Sequence, residues 1–150
     1  MRLRLASLGF AFLMLVASLT GTALGSQAVA LRAVRIVSLI PSLTEDLFAI
    51  GAGPNVVGVS QYTDFPAAAK KLPQVASFTS LDAERIVRLH PDLVIGIPAQ
   101  ARLTADVARA GLRIELIGDE TYDDIFTSLA RLGALTGRER EARALTHRLR

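Results

Sequence analysis

The chain has 150 residues, 51% of them hydrophobic, no cysteine, and a formal net charge of +3 at pH 7. The absence of thiols excludes a disulfide framework, a thiolate metal site, a cysteine nucleophile and a lipid-modified N-terminal cysteine. The charge is too small, and too concentrated at one end, to require an acidic partner.

Arg2 and Arg4 precede an apolar run over residues 8–19 (LGFAFLMLVASL), and Ala23-Leu24-Gly25 offers a cut before Ser26. A basic start, a short apolar segment and a small-residue exit are the parts of a secretory signal peptide, assigned here to residues 1–25. Ser18, Thr20 and Gly21 break the run too early for a comfortable bilayer span, although an uncleaved anchor is the alternative. Ala28-Val29-Ala30 supplies a second cut. Removing Arg2 and Arg4 lowers the net charge from +3 to +1. No basic stripe with interleaved aromatics is present, so no nucleic-acid partner is expected. An exported chain without lipidation points to the periplasm. The 125 residues left of the 150 suffice for one domain with a core, but not for two.

After a linker at 26–33, strands alternate with helices. Residues 34–39 (VRIVSL) are rich in β-branched side chains and predict the first strand. Pro41 ends it. Ser42 then opens a helix with Glu45 three residues on, the spacing of a capping box, and Leu43, Leu47 and Ile50 form its apolar face up to Gly51. Residues 56–59 predict a second strand, and the loop SQYTDFP that follows carries Tyr62, Asp64 and Phe65. Asp82 caps a short helix ending at His90-Pro91, and His90 suits the last turn through the helix dipole. Residues 92–96 (DLVIG) predict a strand buried on both faces. A helix is expected over 99–110, a strand over 113–117, and a helix over 121–136 with Ile125, Leu129 and Leu132 on one face. Gly137 closes it, and another helix starts at Glu139 and continues to Arg150. The fold class is therefore α/β, an open parallel sheet with helices on both faces. Ligands on such sheets sit beyond the carboxyl ends of the strands. The Pro41-Ser42 turn, the Tyr62 loop, the Ile97-Pro98 turn and the Gly118-Asp119 turn share that edge.

Gly51-Ala52-Gly53 follows a helix instead of a strand and lacks a third glycine, so it reads as a turn and not as a dinucleotide loop. There is no G-x-S-x-G elbow. Neither His90 nor His147 has a second ligand at metal spacing, so no metal site is expected. Asp119, Glu120, Asp123 and Asp124 fall where a helix begins, where negative charge satisfies free N–H groups. No catalytic role emerges. Tyr62 and Phe65 on a loop could instead offer flat apolar area to a broad ligand, or Phe65 and Phe78 could pack on the sheet.

Four stretches carry a resemblance: P-S-x-T-E at Pro41–Glu45, G-V-S-x-Y-x-D-x-P at Gly58–Pro66, L-x-x-E-R-I-V at Leu81–Val87, and P-D-L-V-I at Pro91–Ile95. From about Arg35 onward the chain resembles the N-terminal lobe of periplasmic substrate-binding proteins for vitamin B12 and ferric siderophores, the helical-backbone class that serves ABC importers. The resemblance implies an N-terminal lobe over 34–137 and, over 138–150, the start of the long helix joining two lobes. Ala142, Leu145 and Leu149 would lie on one face of that helix. The second lobe lies outside these residues, which implies a part of a longer product or, alternatively, a truncated protein. It further implies no enzyme and no resident cofactor, but a bound metal chelate: cobalamin, or alternatively a ferric siderophore or haem. Tyr62 matches an aromatic that contacts the corrin, and Phe78 falls where another aromatic stands. Ser42 and Asp64 would complete the ligand face. Glu84 matches the acidic residue that docks on the membrane permease. A monomer is expected.

Overall fold

The computed structural model describes residues 34–150; the expected signal peptide and linker lie outside the described residues. Five strands, β1 (Ile36–Ser38), β2 (Val56–Ser60), β3 (Gln74–Ala76), β4 (Leu93–Gly96) and β5 (Ile114–Leu116), form one parallel sheet in the order β3-β2-β1-β4-β5. Five α-helices accompany them: α1 (Pro41–Ala49), α2 (Ala83–Arg88), α3 (Ala105–Arg109), α4 (Tyr122–Thr136) and α5 (Glu139–Leu149).

The chain winds outward from β1 to β3 and then crosses to β4 on the other side of β1. Right-handed crossovers in opposite directions must place their helices on opposite faces. Alternate strand residues accordingly feed two cores. Ile36, Val56, Leu93 and Ile95 pack with Leu43, Leu47, Leu129 and Leu132 of α1 and α4. Val37, Val75 and Val94 pack with Ile86 of α2 and Val107 of α3. A sheet covered on both sides explains the unbroken apolar runs VVGV and LVIG. The order reverses between β1 and β4, so their carboxyl ends flank the crevice where such folds take ligands.

Local chemistry departs from the sequence reading at several points. The Ser42–Glu45 capping box does not form. Pro41 occupies the first turn, its fixed φ suited to a helix start, and Ile40 is the N-cap without a side-chain bond. Thr44, one turn in, donates instead to the Ile40 carbonyl and to Ser38 Oγ at 3.0 and 2.8 Å. The sheet has an edge strand, β3, inside a stretch that reads as loop; only Val75 and Ala76 of its three residues are buried. The helix expected over 99–110 is a 3₁₀ turn, Pro98–Gln100, followed by the short α3. Buried Gln100 accepts from Ile97 N and donates to Leu39 O, tying the turn to the segment that follows β1.

At the end of α2 the capping group is Arg35, not the His90 imidazole. Its guanidinium donates to the carbonyls of Leu89 and His90 at 2.7 and 3.2 Å, while His90 takes a left-handed turn with φ 47°. On α4, Phe126 replaces Ile125 in the core: Phe126 is buried and Ile125 stands exposed. Gly137 ends α4 in the left-handed conformation, φ 68°, and α5 folds back against α4. Ala142 is buried there and Leu145 partly so, but Leu149 is half exposed, so the expected apolar face is occupied along only part of α5.

Candidate functional site

The carboxyl ends of the strands present two different surfaces. Over β2 and β3 the surface is aromatic. Ser60 leaves β2 buried, and its hydroxyl accepts from Tyr62 N at 3.3 Å while Thr63 N donates to Ser60 O at 3.1 Å. This tight turn buries Thr63 and sends Tyr62 outward. A bond from Gln61 N to Ala76 O, 2.8 Å, ties the loop to the end of β3. There Ser77 organises a second turn: its hydroxyl accepts from Thr79 N and Ser80 N, and Ser77 N donates to Ser80 O. Phe78 rides at the tip. Tyr62 is 59% exposed, Phe65 64% and Phe78 69%, so none of the three is absorbed by the sheet. Leaving rings of this size in water has an unfavourable free energy of about 1.5–3 kcal/mol each compared with burying them. Loops built by such specific hydrogen bonds to hold them there are what a ligand platform requires. Asp64 is exposed on the same loop.

Over β1 and β5 the surface is polar and concave. A cleft of about 310 Å³ opens between the starts of α1 and α4, lined by Ser42, Leu43, Asp46, Gly118, Asp119, Thr121, Asp124, Ile125 and Ser128. Ser42 therefore belongs to this cleft and not to the aromatic platform. Thr121 and Asp124 form a reciprocal cap: Asp124 accepts from Glu120 N and Thr121 N, and Thr121 Oγ accepts from Asp124 N. These bonds, the Thr121 backbone N–H foremost, hold the Asp124 carboxyl below its usual range. The acidic run at the start of α4 is thus a helix cap, as its position in the sequence implies. Tyr122, 68% exposed at the first position of α4, packs edge-on against Phe126.

Asp46 was not legible as a site residue. It lies one turn after Ser42 on α1, partly buried, with Ser128 Oγ 3.4 Å from its Oδ2. Burial pushes its carboxyl up to about 6, the Ser128 hydroxyl opposing and Glu45 adding to the rise. A folded-state value above the unfolded one means that its stabilising contribution is full below about pH 4 and is lost as pH rises toward 6. Above that, ionised Asp46 is a standing penalty, which partial exposure reduces to about 1 kcal/mol. Asp46→Asn, which keeps an acceptor for Ser128, is expected to raise stability by that amount at pH 7.5 and by much less at pH 4.5. Urea unfolding at the two pH values checks this; a variant less stable at pH 7.5 contradicts it.

Glu84 sits in the first turn of α2, 88% exposed at the side chain and 3.5 Å from Arg88 one turn on. Among the described residues no group of three or more His, Cys, Asp or Glu is arranged to hold a metal ion.

Residues 36–150 match the periplasmic binding protein family. A vitamin B12-binding protein of Pectobacterium carotovorum is 38% identical over 128 residues, 83% of this chain and 45% of that protein. The solved periplasmic vitamin B12-binding protein of Vibrio cholerae superposes with a TM-score of 0.71 at 33% identity, over 77% of this chain and 46% of that one. A periplasmic haem-binding protein of Pseudomonas aeruginosa gives 0.72 at 30% identity, over 78% and 44%. The chain thus spans less than half the length of these relatives. With the five-stranded lobe and the matched sequence in agreement, the chain belongs to the periplasmic binding protein family.

Proposed function

We propose that this chain forms the N-terminal lobe of a periplasmic receptor that binds cobalamin or a related corrinoid and hands it to an ABC permease. The observation that carries the reading is the pair of outward-facing rings, Tyr62 and Phe78, on hydrogen-bonded loops at the ends of adjacent strands. Flat rings held in water suit the broad apolar face of a macrocycle. The cobalamin-binding relatives support the same cargo. In this reading the ligand is cargo and not a cofactor, the protein turns over no substrate, and the first 25 residues direct export. Residues 34–137 form the lobe, and α5 begins the helix that joins it to a second lobe completing the cleft. Glu84 docks on permease arginines, with Ser42 and Asp64 facing the ligand. The receptor works as a monomer and binds no nucleic acid.

Haem is the second reading, because haem-binding proteins of the same fold share comparable identity with this chain. Calorimetric titration of the full-length gene product with cyanocobalamin, haem and a ferric hydroxamate separates the two. Submicromolar binding of cyanocobalamin is expected. No heat with cyanocobalamin and clear binding of either other ligand would remove the corrinoid assignment.

A further inference from the structure

The platform over β2 and β3 explains how a macrocycle is held but not how one macrocycle is told from another. Haem and cobalamin both present a flat face. They differ at their edges: haem carries carboxylate arms, whereas the corrin arms are neutral carboxamides. The other end of the rim is where such arms arrive. The cleft lies between the helices that follow β1 and β5, one and three strand intervals of about 4.8 Å from β2, so its walls stand about 5–14 Å along the rim from the end of β2, within the span of a substituted macrocycle.

What the cleft offers can be read group by group. Ser42 and Leu43, in the first turn of α1, have backbone N–H groups with no partner among the described residues. Asp46, one turn on, presents a partly buried carboxyl 3.4 Å from the Ser128 hydroxyl, which also reaches Ile125 O at 3.0 Å. Asp119 stands across the cleft and is exposed. Among the described residues no lysine or arginine lines the cleft. A carboxamide needs an acceptor for its N–H₂ and a donor for its oxygen, and Asp46 beside the α1 N–H groups supplies both. A carboxylate needs donors only and meets like charge in a partly desolvated cleft, which repels it more strongly than in bulk water.

We propose that Asp46 is the specificity-determining residue of this lobe, accepting a neutral carboxamide arm of the ligand and rejecting a carboxylate in its place. The proposal rests on the receptor reading above but not on its cargo. Discrimination here is a repulsive element added to a permissive stacking platform, a division that lets a flat apolar surface remain selective.

The test compares ligands that differ by one arm. The full-length protein is titrated at pH 7.5 with cyanocobalamin and with its three isomeric monocarboxylic acids, each carrying one hydrolysed propionamide. At least one isomer is expected to bind about tenfold more weakly than the parent. In Asp46→Asn, whose amide can donate to a carboxylate, that penalty should fall to about twofold or less. Equal binding of all three isomers by the unaltered protein, or an undiminished penalty in the variant, overturns the proposal. If cyanocobalamin does not bind, the corrinoid reading fails and haem against its dimethyl ester decides the role of Asp46. Preference for the ester, lost in Asp46→Asn, supports it. Preference for haem, or binding of neither, refutes it.

Discussion

Removing both rings of the platform, Tyr62→Ala with Phe78→Ala, is expected to weaken cyanocobalamin binding by the full-length protein about a hundredfold. The magnitude follows from two aromatic contacts, each contributing about 1–2 kcal/mol when truncated at a ligand interface. The same pair of changes should leave the unfolding midpoint nearly unmoved. Both side chains are more than half exposed, and substitutions at such positions shift stability by about 0.5 kcal/mol or less. This separation between affinity and stability is the diagnostic feature. If the rings were structural, the midpoint would fall and the affinity would follow it only indirectly. Tyr62→Phe serves as the internal control, since it retains the face and removes the hydroxyl; near-normal affinity would show that stacking and not hydrogen bonding carries the contact. Unchanged binding by the double variant would sink the platform. Phe65→Ala then measures whether the third exposed ring of the loop also reaches the ligand.

The alternation of strands and helices was legible because the sheet is buried on both faces. Such strands cannot hide as amphipathic patterns, and VVGV and LVIG stand out between glycine and proline stops. The edge strand β3 was not legible. Three residues, paired with β2 on one side and touched on the other only where Leu81 bridges Ala76, with Gln74 exposed, leave no periodicity to detect. The segment 99–110 differs for another reason: its composition favours helix, but the Gln100 side chain is anchored to Ile97 N and Leu39 O, just past β4 and β1, and the segment forms a 3₁₀ turn followed by the short α3. Exposure of Tyr62 and Phe78 was foreseeable only as an alternative to core packing. A sequence reports that an aromatic is present; the hydroxyls of Ser60 and Ser77, which turn the chain outward, decide where it points. Asp46 was hidden because its partner, Ser128, lies 82 residues away in sequence. The spacing from Ser42 to Asp46 was the one available signal, one helical turn on a face that leads to the rim.

The second large effect is expected where α4 meets α5. Gly133→Val should destabilise the chain by about 2–3 kcal/mol, even though a glycine inside a helix ordinarily invites replacement. A Cβ at Gly133 would stand 2.8 Å from the Ala142 methyl and 3.2 Å from both the Arg138 carbonyl and the Glu139 Cα. Two of those three neighbours are backbone of the turn between the helices, which cannot rotate away. That turn is itself pinned by Arg138 N donating to Gly133 O at 2.8 Å, so relief requires α5 to shift as a body. Gly133 thus trades helix propensity for close approach, and Ala142, buried against it, is the other half of the contact. Urea unfolding of Gly133→Val, Ala142→Gly and the double variant forms a cycle. A coupling of about 1 kcal/mol or more is expected, the double variant being less damaged than the sum of the singles. Additive losses would mean that the strain lies in the turn and not between the helices. Where α5 is the beginning of the inter-lobe helix, this contact fixes the direction in which that helix leaves the lobe. Gly133→Val should then weaken ligand binding in the full-length protein without touching the ligand face. A variant with normal stability and normal affinity would show that the packing of α5 on α4 does not control the geometry of the cleft.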